Sequence, residues 1–154
     1  MKKVFISADA LYAQCFALAK KIHTAGFIPE YMLILMRGGA VPGIIIHEYF
    51  RKKGITISHG SITSVSYKEM GKQSNVVFHG LSSLKRIQKK KILIVDDVFD
   101  TGKTIETLLS VLDKSNKVKI ATVFFKSKAN KTKLKPDFYV KKTAAWIVFP
   151  HESQ

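Results

Sequence analysis

The segment Ile92-Leu93-Ile94-Val95-Asp96-Asp97-Val98-Phe99-Asp100-Thr101-Gly102-Lys103-Thr104 concentrates more chemistry than any other stretch of the chain. An apolar run ends on two adjacent carboxylates, a third follows at Asp100, and a Thr-Gly-Lys-Thr turn leads into apolar residues at helical spacing. Backbone N–H groups at the start of a helix, with the helix dipole behind them, make a cradle for a phosphate monoester. Thr101 and Thr104 add hydroxyl donors, and Gly102 allows the backbone to come close to an anion. Carboxylates would repel that anion. They make sense beside it if they hold sugar hydroxyls or a cation that accompanies the ligand. The Gly102-Lys103-Thr104 triplet invites comparison with the triphosphate loop GxxxxGK[ST], which requires glycine where Asp97 stands. That reading fails at its first residue.

Two other places could contribute. Arg37-Gly38-Gly39 follows an apolar run, and its two glycines permit a tight turn whose amides can face an anion beside the fixed charge of Arg37. Lys126 closes another apolar run. Taken alone it reads as solvated surface, just as the single tryptophan, Trp146, reads as core.

The elements that must position these residues follow from hydrophobic patterning. Ser7 can cap a helix with Leu11, Cys15, Leu18, Ala19 and Ile22 on one face, ended by Gly26. Tyr31 to Met36 is an unbroken apolar run, as expected of a strand covered on both faces. A second helix is expected from Pro42 to Lys53 with Gly54 beyond it. Ile55 to Tyr67 reads as extended, Lys68 to Asn75 as a polar loop around Gly71, and Val76 to Phe78 as a short strand. Lys91 to Val95 is a buried strand, followed by the acidic turn and a helix with Ile105, Leu108, Leu109 and Leu112 on one face. Val118 to Phe125 is a further strand and Ala144 to Phe149 a last extended segment. Alternating strands and helices predict an α/β fold with a mostly parallel twisted sheet. In such sheets ligands bind beyond the carboxyl ends of the strands, where all three candidate loops begin.

Composition narrows the class. The chain has 154 residues, 46% hydrophobic and 24% charged, which suits one globular domain over residues 1–154. No apolar run approaches the roughly 20 residues of a membrane span. The apolar start Val4-Phe5-Ile6 stops too soon for a secretory signal, so the cytoplasm is the expected location. The lone Cys15 reads as a small buried thiol. With 26 Lys and Arg against 11 Asp and Glu, the formal charge of +15 favours anionic ligands without choosing among them.

The acidic segment as a whole resembles the phosphoribosyl pyrophosphate-binding signature of the type I phosphoribosyltransferases. The resemblance extends over roughly Leu33 to Glu152 and implies that family's fold, a mostly parallel sheet flanked by helices under a small hood. It implies that Asp96 and Asp97 hold the ribose hydroxyls, with Asp97 near the magnesium shell. Asp100, Thr101, Gly102, Lys103 and Thr104 would cradle the 5-phosphate, and Asp100 would also face the imidazole edge of a purine. Arg37, Gly38 and Gly39 look like the pyrophosphate loop, where the peptide beside the arginine is often cis. Lys126 matches the lysine with which 6-oxopurine enzymes donate to the exocyclic oxygen. An ammonium has only donors, so it favours a carbonyl over the amino group of adenine.

Trp146 to Glu152 is similar to the bacterial xanthine-guanine enzymes. There an aromatic stacks on the purine, the next residue's backbone (Ile147 here) contacts the pyrimidine ring, and an acidic residue (Glu152 here) lies near a second metal. Those enzymes usually have Trp where this chain has His151. Ser66-Tyr67 resembles the Ser-Tyr pair of the family's flexible active-site loop. The resemblance thus implies a purine-salvage enzyme that takes phosphoribosyl pyrophosphate and guanine, xanthine or hypoxanthine, uses Mg2+ and assembles as a homodimer or homotetramer. The alternative is a regulator of the same fold that senses phosphoribosyl pyrophosphate and binds nucleic acid. Asp100, Lys126 and Trp146 argue against it, because such a sensor needs no base pocket.

Overall fold

The structure is a computed structural model that describes residues 1–67 and 75–152. Its elements in chain order are β1 (Lys3–Phe5), α1 (Ala8–Thr24), β2 (Tyr31–Met36), α2 (Ala40–Lys52), β3 (Ser58–Tyr67), β4 (Asn75–His79), α3 (Leu81–Leu84), β5 (Lys91–Phe99), α4 (Lys103–Val111), β6 (Lys117–Phe125), β7 (Phe138–Lys142) and β8 (Trp146–Val148). Among the described residues six strands form one sheet in the order β4-β3-β2-β5-β6-β7. All neighbours in it are parallel except β4, which returns antiparallel along the edge.

The apolar runs of the central strands reflect burial on both faces. Leu93 and Val95 of β5 face α1 and α2, packing with Leu18, Ile22, Ile46 and Phe50. Ile92 and Ile94 face the opposite layer, with Ile105 and Leu108 of α4. Helix α1 begins as expected, the Ala10 amide donating to the Ser7 hydroxyl at 3.2 Å. Cys15 is fully buried on this helix, and loss of hydration, with the negative charge of Asp97 nearby, pushes its thiol up to about 12. The thiolate is the reactive form. Native protein at pH 8 is therefore expected to leave a thiol reagent essentially unreacted over hours, whereas denatured protein reacts with one equivalent within minutes. Rapid labelling of the native state would contradict this packing.

The structure departs from the sequence reading at several boundaries. Helix α2 starts at Ala40 rather than Pro42, because Gly39 already adopts helical φ/ψ as the N-cap and Pro42 sits in the first turn. Strand β5 does not stop at Val95. Asp96 pairs with Thr122 and Val98–Phe99 with Phe124–Phe125, so the two aspartates lie on the strand and not in a turn. Strands β1 and β7 and the single turn α3 were not expected: β1 is short and exposed throughout, and β7 emerges directly from a lysine-rich run. β1 pairs in parallel with β8 in a separate two-stranded sheet. Ser66 and Tyr67 end the paired part of β3, opposite Val76 and Asn75. The polar loop expected after them lies, apart from Asn75, outside the described residues.

Candidate active site

Strands β2, β5 and β6 are consecutive neighbours and parallel, so their carboxyl ends lie along one edge of the sheet. This adjacency gathers the Arg37, Asp96–Thr104 and Lys126 segments into one crevice.

The Met36–Arg37 peptide is cis, and Arg37 is exposed. The Gly39 amide donates to the Leu35 carbonyl at 2.8 Å, folding the loop back on its strand. A β-carbon on Gly39 would stand 2.5 Å from the Val95 carbonyl oxygen and 2.6 Å from that of Leu35. One on Gly38 would overlap the Asp97 carboxylate. The two glycines thus let this loop lie directly against the acidic end of β5.

Asp96 accepts from the Asp97 amide at 2.9 Å, and Asp97 from the Val98 amide at 2.7 Å. Burial pushes both carboxyls up from the usual range, and for Asp96 the neighbouring charge of Asp97 adds to the effect. Two half-buried carboxyl groups side by side favour the approach of a cation or of hydroxyl donors.

Beyond them the chain turns through Asp100 and Thr101. Gly102 (φ 81°) caps α4 in the left-handed region, and the Thr101 hydroxyl oxygen accepts from the Lys103 amide at 3.5 Å. The first amides of a helix have no intrahelical partner, so those of Thr104 and Ile105, together with the hydroxyl protons of Thr101 and Thr104, remain to face an anion.

Lys126 is not the solvated residue it would be in isolation. Only 8% of it is exposed. A buried ammonium requires compensation, and Lys126 Nζ lies 3.2 Å from Asp100 Oδ2 and 5.1 Å from the Trp146 ring centroid. Trp146 is not core either, being 49% exposed. These three residues line a cavity of about 260 Å3 with Met1, Lys128, Ala129, Thr143 and Ala144. A larger hollow of about 570 Å3 on the α1–α2 face, lined by Tyr12, Phe16, Ile44 and Tyr49 with lysines and Glu48 around them, lies on helices and not at the strand ends that carry the acidic segment.

The Ile147 side chain is buried in the core, leaving its backbone for any contact at the crevice. Glu152 folds back on its own turn, where Oε2 accepts from the Phe149 amide at 2.9 Å. His151 stacks on Phe149 with centroids 5.4 Å apart. Thr143 and Ala144 in the pocket wall escaped the sequence reading, and nothing in their spacing marks them. So did Asn130 and Thr132, whose side chains lie against Gly102.

A mostly parallel sheet with a helix-borne anion cradle and an acidic strand end along one edge suits a phosphorylated sugar. The profile of the phosphoribosyl transferase domain matches residues 7–153, and the chain belongs to the phosphoribosyltransferase family, whose enzymes are pentosyltransferases. Over 147 residues it is 39% identical to the hypoxanthine-guanine phosphoribosyltransferase of Cricetulus griseus, a match covering 90% of this chain and 67% of that protein. It is 26% identical over 128 residues to xanthine phosphoribosyltransferase 1 of Saccharomyces cerevisiae, covering 73% of this chain and 61% of the yeast protein. The chain therefore spans about two thirds of the length of these relatives or less. The crystal structure of a purine phosphoribosyltransferase from Pyrococcus horikoshii superposes with a TM-score of 0.79 at 31% identity, covering 100% of this chain and 96% of that one. No helix among the described residues is long and apolar enough to cross a membrane.

Proposed function

We propose that this chain transfers the phosphoribosyl group of phosphoribosyl pyrophosphate to a 6-oxopurine (guanine, xanthine or hypoxanthine), giving a nucleoside monophosphate and pyrophosphate. The observation that carries the reading is the buried Lys126 ammonium paired with Asp100 at 3.2 Å beside the exposed face of Trp146. A 6-oxopurine carries its oxo group next to the imidazole nitrogen on one edge, so an adjacent donor and carboxylate suit it. Adenine presents an amino donor at that corner. A sensor of phosphoribosyl pyrophosphate alone would have no use for this pair, which favours the enzyme over the regulator.

In this reading the α4 amides with Thr101 and Thr104 hold the 5-phosphate, and Asp96 and Asp97 hold the ribose hydroxyls. The bond from the anomeric carbon to the pyrophosphate oxygen breaks as a bond to the purine nitrogen forms. Asp100 accepts the proton released from the imidazole edge. Arg37 and the Gly38–Gly39 backbone receive the departing pyrophosphate.

Magnesium fits this donor set, since it takes hard carboxylate oxygens and is commonly held by one or two of them together with substrate phosphates. Asp97, packed directly against Gly38, would be its contact on the protein. Glu152, one oxygen of which accepts from the Phe149 amide, would offer the other to a second ion. When bound, the metal neutralises charge on the leaving group. Self-association as a dimer or tetramer is supported by the apolar patch that Tyr12, Phe16 and Ile44 leave exposed on α1 and α2. A cytoplasmic location suits a salvage enzyme of this kind.

The test incubates the protein with magnesium, phosphoribosyl pyrophosphate and each base in turn, following pyrophosphate release. Turnover is expected with at least one 6-oxopurine and little with adenine. Lys126→Ala should raise the Michaelis constant for the oxopurine by roughly ten- to a hundredfold, the loss expected for a charged hydrogen bond, and narrow the discrimination against adenine. Absence of base consumption with any purine would sink the enzyme reading. An unchanged preference in the variant would remove Lys126 from the specificity argument.

A further inference from the structure

The loop between β6 and β7 does more than carry Lys126. Its backbone is tied to the far side of the anion cradle. The Lys126 amide donates to the Phe99 carbonyl at 2.9 Å, and the Lys131 amide to the Thr101 carbonyl at 2.9 Å. Around the second tie the loop closes on itself through two side chains. Asn130 Oδ1 accepts from both the amide and the hydroxyl of Thr132, each at 2.9 Å. Asn130 Nδ2 donates to the Leu134 carbonyl at 2.6 Å, and Thr132 Oγ1 accepts from the Leu134 amide at 3.2 Å.

The closed loop fills the space behind Gly102. A β-carbon there would lie 2.5 Å from Thr132 Oγ1 and 3.0 Å from Asn130 Oδ1. Gly102 (φ 81°) is the residue whose left-handed turn opens the cradle. Its conformation is therefore held from behind by groups that do not line the cradle. Alternative backbone states of a glycine are cheap, so without that support the amides on either side would sample orientations that do not converge on one anion.

We infer that Asn130 and Thr132 are positioning residues for the phosphate cradle, acting through Gly102 and the Thr101 carbonyl without touching the substrate. The inference rests on the phosphoribosyl-transfer reading and adds a residue pair to it. Their contribution belongs to the affinity for the 5-phosphate end of the substrate. It does not belong to the chemical step or to the base pocket, whose wall is formed by Lys128, Ala129 and Thr143.

The experiment compares wild type, Thr132→Val and Thr132→Ser, with Asn130→Ala as a second route to the same loss. Binding of ribose 5-phosphate is measured by calorimetry, and steady-state constants for phosphoribosyl pyrophosphate and base by pyrophosphate release. Removing the Thr132 hydroxyl, with the two hydrogen bonds it makes, is expected to weaken ribose 5-phosphate binding, and to raise the Michaelis constant for phosphoribosyl pyrophosphate, by about tenfold. The Michaelis constant for the base and the saturated turnover should stay within about twofold. Serine keeps the hydroxyl and should restore the wild-type values. Wild type that binds no ribose 5-phosphate would count against the function itself. If wild type binds and Thr132→Val binds equally well, the positioning role is wrong. It is equally wrong if every constant falls together with the melting temperature and serine restores none of them.

Discussion

Asp100→Asn is expected to lower saturated turnover by roughly 10²–10⁴-fold, the usual contribution of a general acid–base group, while leaving affinity for phosphoribosyl pyrophosphate within about threefold. Asparagine is close in size and keeps an oxygen that can accept from Lys126, so the ammonium retains a partner where the wild type has a carboxylate at 3.2 Å. What it loses is basicity at the edge of the base pocket. The cradle's amides, Thr101 and Thr104 are untouched, so binding of the sugar phosphate should persist. Single-turnover rates with guanine, hypoxanthine and xanthine, measured beside equilibrium binding of phosphoribosyl pyrophosphate, separate the two quantities. Near-normal turnover would show that another group takes the proton. A large loss of phosphoribosyl pyrophosphate affinity would show instead that Asp100 belongs to the cradle.

The neighbouring glycines of the first loop are expected to fail in different ways. Neither has positive φ, so alanine is not excluded by backbone conformation. In Gly38→Ala the new methyl group would collide with the Asp97 carboxylate, a side chain that can rotate away. The fold should survive with a melting temperature near wild type. The displaced carboxylate and loop should reduce catalytic efficiency by about a hundredfold or more, the scale of an ångström-sized misplacement of catalytic groups. In Gly39→Ala the methyl group would meet the backbone oxygens of Val95 and Leu35 at 2.5 and 2.6 Å. Those oxygens belong to adjacent sheet strands and cannot step aside. Overpacking of this kind costs about 1–3 kcal/mol, and in a chain of this size each kcal/mol lowers the melting temperature by roughly 2–4 °C. Thermal unfolding and catalytic efficiency measured on both variants check the contrast. Equal melting temperatures and equal activities would show that the loop accommodates a β-carbon at either position.

The chemistry of the crevice was largely written in local sequence. The acidic strand end and the Thr101–Thr104 turn are contiguous, and their meaning depends on residue types a few positions apart. The same holds for the central strands, whose apolar runs already require cover on both faces, and for the Ser7 cap of the first helix. Even so, local pattern placed the aspartates in a turn. Their strand is extended by partners in another segment, Thr122, Phe124 and Phe125, and no pattern within residues 92–99 reveals that pairing.

What only the tertiary structure decided depends on contacts between distant parts of the chain. The order of the strands sets β2, β5 and β6 side by side and so makes one site from three loops. Burial turned Lys126 from a surface lysine into a paired ammonium, because the carboxylate that compensates it comes from a different strand end. The parallel pairing of β1 with β8 joins segments near opposite ends of the chain and places Trp146 beside that ammonium. The support of Gly102 by Asn130 and Thr132 likewise exists only once the loop after β6 is tied down on Thr101. Periodicity reports which face of an element is buried. It does not report which element does the burying, and register between distant strands is fixed by the packing of the whole sheet.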